Sequence, residues 1–490
     1  MTDRIGAHPS VLVYTSAMST RPRLLWSLTF ATIAAICLGC SARSSPSPPA
    51  LLIRDVTILS MDDEAPRRGS VLVRGDRIGY VGPTVSVPPA PDARVVDGSG
   101  RFLMPGLIDM HTHVSKTRGS SLSLLVSAGV TTVRDLGGDH EELLAWRREI
   151  DAGTRIGPRM RIAGPYLESA SNAARQHATP VSEMIEPVER TRVGVATPAD
   201  AERIIPVLAA RGVDHLKIRT TTDRDTYLAI GAAAKRHGLP LAGHIQPYSP
   251  DDILASGQAS LEHGFYPPLD ERPDVDRRSL FARLAAAHVA IVPTLVVLER
   301  LGTPDDDTLK GRVADADNPP NGKRTLSAYL RADWREQLAE QGPDRRPVYQ
   351  RLHESSRRDL REMHAAGIRI LAGTDIGVLN IVPGQSLHEE LTLLVRDASL
   401  SPLEALRAAT RDAAIFLGLD REIGTIAAGK KADLILLDAD PLADMAHVSR
   451  ISAVVLRGRL FDRAALTRLV DDVSRAADVA ANDWPRTPAR

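Results

Sequence analysis

Two histidines two residues apart close the stretch PGLIDMHTHV, residues 105–114. The residues before them are apolar and strand-like. Side chains two apart on a strand point to one side, so His111 and His113 can grip a single cation. Buried imidazoles are costly without partners, so the pair calls for company. Four further residues supply it: Lys217 in DHLKIRT, His244 in LAGHI, His263 in SLEHG and Asp375 in LAGTD, each at the end of its own strand-like run. Taken singly, each has an ordinary explanation. His-x-His is a weak metal signal, a strand-end lysine is usually a solvated charge, and an aspartate before a helix is usually an N-cap. Chance does not readily place six such groups at the ends of five strands.

The elements that must carry them alternate. Strand-like runs GLIDMHTH, TTVRDLG, MRIAGPY, DHLKIRT, PLAGHI, SLEHG, AIVPTL and RILAGTD are separated by helical segments such as ADAERIIPVLAARG and YLAIGAAAKRHG. Eight βα alternations predict a parallel (β/α)8 TIM barrel, whose chemistry sits at the C-terminal ends of the strands. Period-two segments flank it on both sides: LLIRDVTIL, GSVLVRGDRIGYVG and ARVVDGSGRFLMPG before, GTIAAGKKADLILLDADP and ISAVVLRGRLF after. The α/β barrel of residues 105–419 is therefore expected to be inserted in a small β-sandwich domain formed by both chain flanks, 51–104 plus 420–465. A C-terminal helix and tail, 466–490, follow. Two polar stretches are expected near the barrel mouth: the segment after the third strand, GPYLESASNAARQHATPVSEMIEPVER, read as a long loop, and an insertion of roughly 301–350, read as a loop over the mouth.

Lys+Arg and Asp+Glu both total 61. This balance gives no electrostatic reason to expect a nucleic-acid partner. Both cysteines, Cys37 and Cys40, lie in the N-terminal segment. The folded part therefore has no thiolate, and any metal must be held by nitrogen and oxygen. Residues 1–40 combine the basic stretch MSTRPR with an apolar core from Leu24 to Gly39. At about 16 residues this core is short for a membrane span, which needs about 20, and it reads as a secretory signal. Met18 would give that signal a conventional length. Gly39-Cys40 resembles the cleavage site of bacterial lipoproteins, although Cys37 stands where that motif usually has leucine. The expectation is an exported protein of the bacterial cell envelope or periplasm, with membrane attachment through an N-terminal lipid on Cys40. Residues 41–50, SARSSPSPPA, read as a Ser/Pro linker.

The motifs PGLIDMHTH and GTD (373–375), with the strand ends of Lys217, His244 and His263, resemble the metal-dependent amidohydrolase superfamily, in its imidazolonepropionase-like and bacterial dipeptidase-like branches. The resemblance runs from residue 50 to about 465. It implies a binuclear centre: one ion on His111, His113 and Asp375, a second on His244 and His263, and a carbamylated Lys217 bridging both. It also implies a small-molecule substrate. The donor chemistry agrees. A buried lysine beside cations must lose its charge, and nitrogen and oxygen ligands suit Zn2+, with Mn2+, Co2+ and Fe2+ as alternatives. A metal lowers the pKa of its water from 15.7 towards about 7. Asp375 could then take up the proton of the attacking hydroxide and pass it to the leaving group.

The expected function is hydrolysis of a C–N bond in an amide, cyclic amide or dipeptide. The alternatives are an ester, lactone or phosphotriester at the same site, and a non-catalytic exported binding protein. Three other groups are set aside. His388 and Glu389 open an amphipathic helix and are expected to pack or cap. Arg134-Asp135 reads as a structural ion pair under the mouth. His215 shares a face with Lys217 but lies deeper. For specificity, dipeptidase-like relatives carry a Gly-rich extension after the bridging lysine, whereas here KIRTTTDRDTYLAI passes straight into a helix. Arg175, Tyr166 and Arg219 are all candidates to meet a substrate carboxylate, and the sequence does not choose among them.

Overall fold

The computed structural model describes residues 49–478, apart from 179–187, 266–267, 274, 303–304, 321–323 and 343–344. The signal, the two cysteines, most of the Ser/Pro linker and the end of the C-terminal tail lie outside the described residues.

Eight parallel strands build the barrel. The first three, Leu107–Thr112, Val130–Asp135 and Arg159–Ile162, pair in that order. The fourth to eighth, Leu216–Ile218, Leu241–His244, Gln258–Glu262, Ala290–Val292 and Arg369–Ile370, pair in turn. Backbone hydrogen bonds outside the strand ladders close the two remaining seams. Asp214 N–H donates to Ile162 O at 2.8 Å, and on the other side Met110 N–H donates to Ala372 O at 2.9 Å and Asp375 N–H to His111 O at 2.7 Å. Most strand residues are buried whatever their parity, as expected of strands with side chains filling the barrel inside and helices covering it outside. Gly373 permits the second seam, since a Cβ there would stand 2.8 Å from both His111 N and Cβ and 2.6 Å from Val292 Cγ1.

Two expectations need correction. The third strand does not end at Tyr166. It turns at Gly164-Pro165 and resumes as Tyr166–Ser169, which pairs in parallel with Arg192–Val195 and touches the fourth strand where Leu167 faces Ile218. The helix Ala170–Ala178 follows, so the segment read as a loop carries a strand and a helix. A four-residue strand such as YLES is too short to show a period of two. The 301–350 insertion is likewise helical, with Asp306–Asp317 capped by Asp305 and Ala328–Ala339 capped by Ser327. It does reach the mouth: Gln337 donates to Gly377 O at 2.9 Å and accepts from Leu379 N–H at 2.8 Å, clasping the turn after the eighth strand.

The chain flanks share one eight-stranded sheet. Phe102–Pro105, which leads directly into the barrel, pairs antiparallel with Leu434–Leu437 from the far end of the chain. At the opposite edge, Ile78 N–H donates to Lys430 O and Gly429 N–H to Ile78 O, both at 2.8 Å, so the sheet folds back on itself. Ile53, Val71, Ile78, Leu103, Leu434 and Leu436 fill its interior. Register with the returning strand thereby anchors the start of the first barrel strand.

Candidate metal centre

All six side chains singled out by their spacing come to one end of the barrel. His111 lies in the first strand and His113 just beyond it. Lys217 is the middle residue of the fourth strand, and His244 the last of the fifth. His263 follows the sixth strand and Asp375 the eighth. The tightest group is His111, His113 and Asp375, whose donor atoms lie within 4.8 Å of one another. Asp375 Oδ1 stands 3.2 Å from His113 Nε2 and 3.5 Å from His111 Nε2, and its Oδ2 stands 3.8 Å from His263 Nε2. Ring centroids of His111 and His263 are 4.8 Å apart, and those of His244 and His263 are 5.0 Å apart.

Each of three imidazoles is held from behind. His111 Nδ1 lies 2.9 Å from Glu262 Oε2, and an ionised carboxylate only accepts, so the proton is on Nδ1. His113 Nδ1 lies 3.0 Å from Gly137 O, also an acceptor only, with Tyr166 Oη at the same distance. Gly137, at φ 134°, leaves room for the Tyr166 ring, which a Cβ would approach to 2.5 Å. His263 Nδ1 bonds Thr294 Oγ1 at 2.7 Å. With Nδ1 protonated, Nε2 of His111 and of His113 presents a lone pair. Those lone pairs face a carboxylate oxygen, acceptor against acceptor, an arrangement that repels until a cation sits between.

Backbone strain collects at the same place. His263 (φ 68°), Thr294 (φ 46°) and Asp375 (φ 61°) are left-handed without being glycine. Such conformations cost on the order of 1–3 kcal/mol each and persist where surrounding structure imposes them.

Burial governs the charges. It lowers His111 to about 3 and His263 to about 4, with Lys217 a further positive neighbour, and it pushes His244 well below the usual histidine range and His113 lower as well. The imidazoles are therefore neutral and fit to ligate. Burial also lowers Lys217 to about 8, against the pull of Glu262 and Asp375. Desolvation opposes ionisation of Glu262, but the Arg134 guanidinium and the bond from His111 outweigh it and hold the carboxyl well below its ordinary value. Two buried nitrogens, His111 Nε2 and Lys217 Nζ, have no hydrogen-bond partner among the described residues. Orphaned nitrogens beside neutral imidazoles and a carboxylate, with no sulfur, are a donor set that fits Zn2+ or a similar divalent ion.

Glu262 and Arg134 are the functional pair the sequence reading missed as such. Arg134 does not pair with its neighbour Asp135. It donates to Glu262 Oε1 at 2.7 Å, to Ser260 Oγ at 2.9 Å and to Met110 O at 2.7 Å. Asp135 instead accepts from Val114 N–H at 2.7 Å and Gly137 N–H at 3.1 Å, shaping the turn that carries His113. A carboxylate and a guanidinium inside otherwise apolar strands were the available signal. His215 bonds Asp135 O at 3.1 Å, and His388 bonds Ala128 O at 2.8 Å. Glu389 pairs with Arg300. None of these three enters the centre.

Known proteins resemble this chain in sequence and in fold. The model of the amidohydrolase family matches residues 102–461. Imidazolonepropionase of Rubrobacter xylanophilus is 27% identical over 416 residues, spanning 80% of this chain and 90% of that protein. The 5-methylthioadenosine/S-adenosylhomocysteine deaminase of Symbiobacterium thermophilum is 27% identical over 417 residues, spanning 80% and 85%. Among solved structures, a Xaa-Pro dipeptidase with methionine bound in its active site superposes with a TM-score of 0.63 at 19% identity, covering 84% of this chain and all of that one, a likeness of fold.

Proposed function

Because this chain belongs to the amidohydrolase family and is a hydrolase acting on carbon–nitrogen bonds, we propose that it cleaves an amide, cyclic amide or dipeptide bond of a small molecule at a binuclear centre. His111, His113 and Asp375 would hold one divalent ion, His244 and His263 a second, and Lys217 would bridge them. The observation that carries this reading is the convergence of His111 Nε2 and His113 Nε2 on one oxygen of Asp375, at 3.5 and 3.2 Å. Divalent ions held there supply Lewis acidity, polarising a carbonyl and acidifying water.

The chain's own residues supply the rest. Glu262 and Gly137 O fix the tautomers of His111 and His113, keeping both Nε2 lone pairs inward. Lys217, with its pKa lowered by burial, has a neutral amine within reach at neutral pH. Adding to CO2 with loss of one proton, it would become a carbamate, an anionic oxygen donor that would help hold the ions where a protonated amine would repel them. Asp375 accepts the proton of the attacking water on a carboxylate oxygen and delivers it to the leaving nitrogen. One water is consumed, the C–N bond breaks, and a carboxylic acid and an amine leave.

Elemental analysis of the purified protein tests the reading first. Two divalent ions per chain, with hydrolysis of an amide library lost to chelator and restored by Zn2+, is the expected result. A chain with no stoichiometric metal would overturn it. Lys217→Ala should lower the metal content, and short carboxylic acids should partly restore it. Unchanged metal in that variant removes Lys217 from the bridge.

A further inference from the structure

We propose that Arg219 binds a carboxylate of the substrate, so that the amides this enzyme hydrolyses are N-acyl amino acids, dipeptides included. The inference rests on the hydrolase reading above and names its substrate class.

Arg219 continues the ladder of the fourth strand, its N–H donating to Leu167 O at 2.9 Å. Two residues on from Lys217, it emerges on the same side. Its Cζ lies 5.9 Å from the Tyr166 ring, which also meets the His113 ring at 5.3 Å and the Arg192 guanidinium at 5.0 Å. One aromatic ring thus separates the guanidinium from the centre, a spacing that suits a carboxylate a bond or two from an amide.

The obvious alternative is a structural ion pair with Glu168. That carboxylate is fully buried, but its charge is already met. Arg192, with 3% of its side chain exposed, bonds Oε1, and Asn172 bonds Oε2. Arg219 reaches the same Oε1 only at 3.4 Å, and 37% of its side chain is exposed. The planar fork of arginine matches a carboxylate with two parallel bonds. Of the other candidates, Tyr166 is engaged with His113 and carries no charge, and Arg175 donates to Asn172 Oδ1 at 2.6 Å.

The test uses the metal-loaded full chain and two matched panels: the twenty N-acetyl amino acids and their twenty C-terminal carboxamides. Calorimetric titration reads binding, and release of free amine reads turnover. The acids should bind about 100-fold more tightly than the matching carboxamides, the scale of a charged hydrogen-bonded pair. Arg219→Met should bring the acids down to the level of the carboxamides while moving the carboxamides less than about threefold. Arg219→Gln, which keeps a donor towards Glu168, should do the same if the methionine variant folds poorly. Metal content and melting temperature should match the parent. Equal binding of both panels by the parent, no binding of either, or variants that weaken both panels alike would overturn the assignment. Arg219-dependent binding without release of amine from any member would leave the carboxylate subsite standing and count against amide hydrolysis. Turnover indifferent to the carboxylate would do the reverse.

Discussion

The two sides of the centre are built on different terms. On the side of His111, His113 and Asp375, both rings are fixed from behind, His111 by Glu262 and His113 by Gly137 O. Glu262 takes His111 Nδ1–H on one oxygen, and Arg134 and the Ser260 hydroxyl on the other, at 2.9, 2.7 and 2.6 Å. Asp109 takes Thr374 Oγ1–H at 2.6 Å and His111 N–H at 3.1 Å, tying the first strand to the eighth. On the side of Tyr166, Glu168 and Arg219, the strands are short, charges are shared unevenly, and Arg219 is partly solvated. Interlocked strands hold chemistry to sub-ångström tolerance, whereas a loosely held cation at the rim can select a substrate without disturbing the ligands. Reaction and specificity are thereby separable by mutation.

The sharpest break falls on the interlocked side. Asp375→Asn alters the proposed ligand and proton acceptor, and should lower kcat by about 10³-fold or more, the upper part of the range for general acid–base catalysis. Circular dichroism should show the fold retained. An activity loss under tenfold would mean that another group moves the proton.

A smaller effect is expected one layer behind. Glu262→Gln keeps the shape, but an amide offers one acceptor oxygen where the carboxylate uses two. Either His111 Nδ1–H or the Arg134 guanidinium then faces an N–H. Partners of metal-ligating histidines typically contribute 10–100-fold to affinity or activity, so metal affinity in competition with a chelator should fall by about that factor. Glu168→Gln, on the rim, should leave metal affinity within about twofold while changing the ranking of substrates, since it sits behind Arg219 and not behind a ligand. If both variants lose metal equally, the proposed separation between the two sides is wrong.

What the sequence disclosed follows the same division. His111, His113, Lys217, His244, His263 and Asp375 could be found because residue type and strand-end position together imply ligation, and the eight alternations that carry them dictate a barrel. Glu262 and Arg134 stood in the very motifs SLEHG and TTVRDLG. Their partnership could not be read, because it depends on packing between the second and sixth strands, which no local pattern encodes. The Tyr166–Ser169 extension was hidden by its length, and its pairing with Arg192–Val195 is a long-range event. The insertion helices were masked by polar composition, although Asp305 and Ser327 stood in N-cap positions. The choice of Arg219 over Tyr166 and Arg175 needed the knowledge that Glu168 was already satisfied.

The smallest predicted effect lies outside both sides and tests their boundary. His388 stands next to Glu389, but its Nε2–H donates to Ala128 O and its ring is buried in the helix Gln385–Ala398. Burial lowers its pKa from 6.5, with the Ala128 carbonyl pulling weakly the other way. Below the ordinary histidine value the unfolded chain takes up a proton there that the folded chain refuses. Its contribution to stability is therefore complete above about pH 6.5 and declines as the pH falls, with a limiting slope of about 1.4 kcal/mol per pH unit for one proton. His388→Gln keeps a donor for the Ala128 carbonyl but cannot titrate. It should flatten the acid limb of denaturant-derived stability by up to that slope and leave kcat/KM within about twofold at neutral pH. A large loss of turnover with the acid limb unchanged would bring His388 back into the reaction and show that the interlocked side extends further than the ligands and the groups behind them.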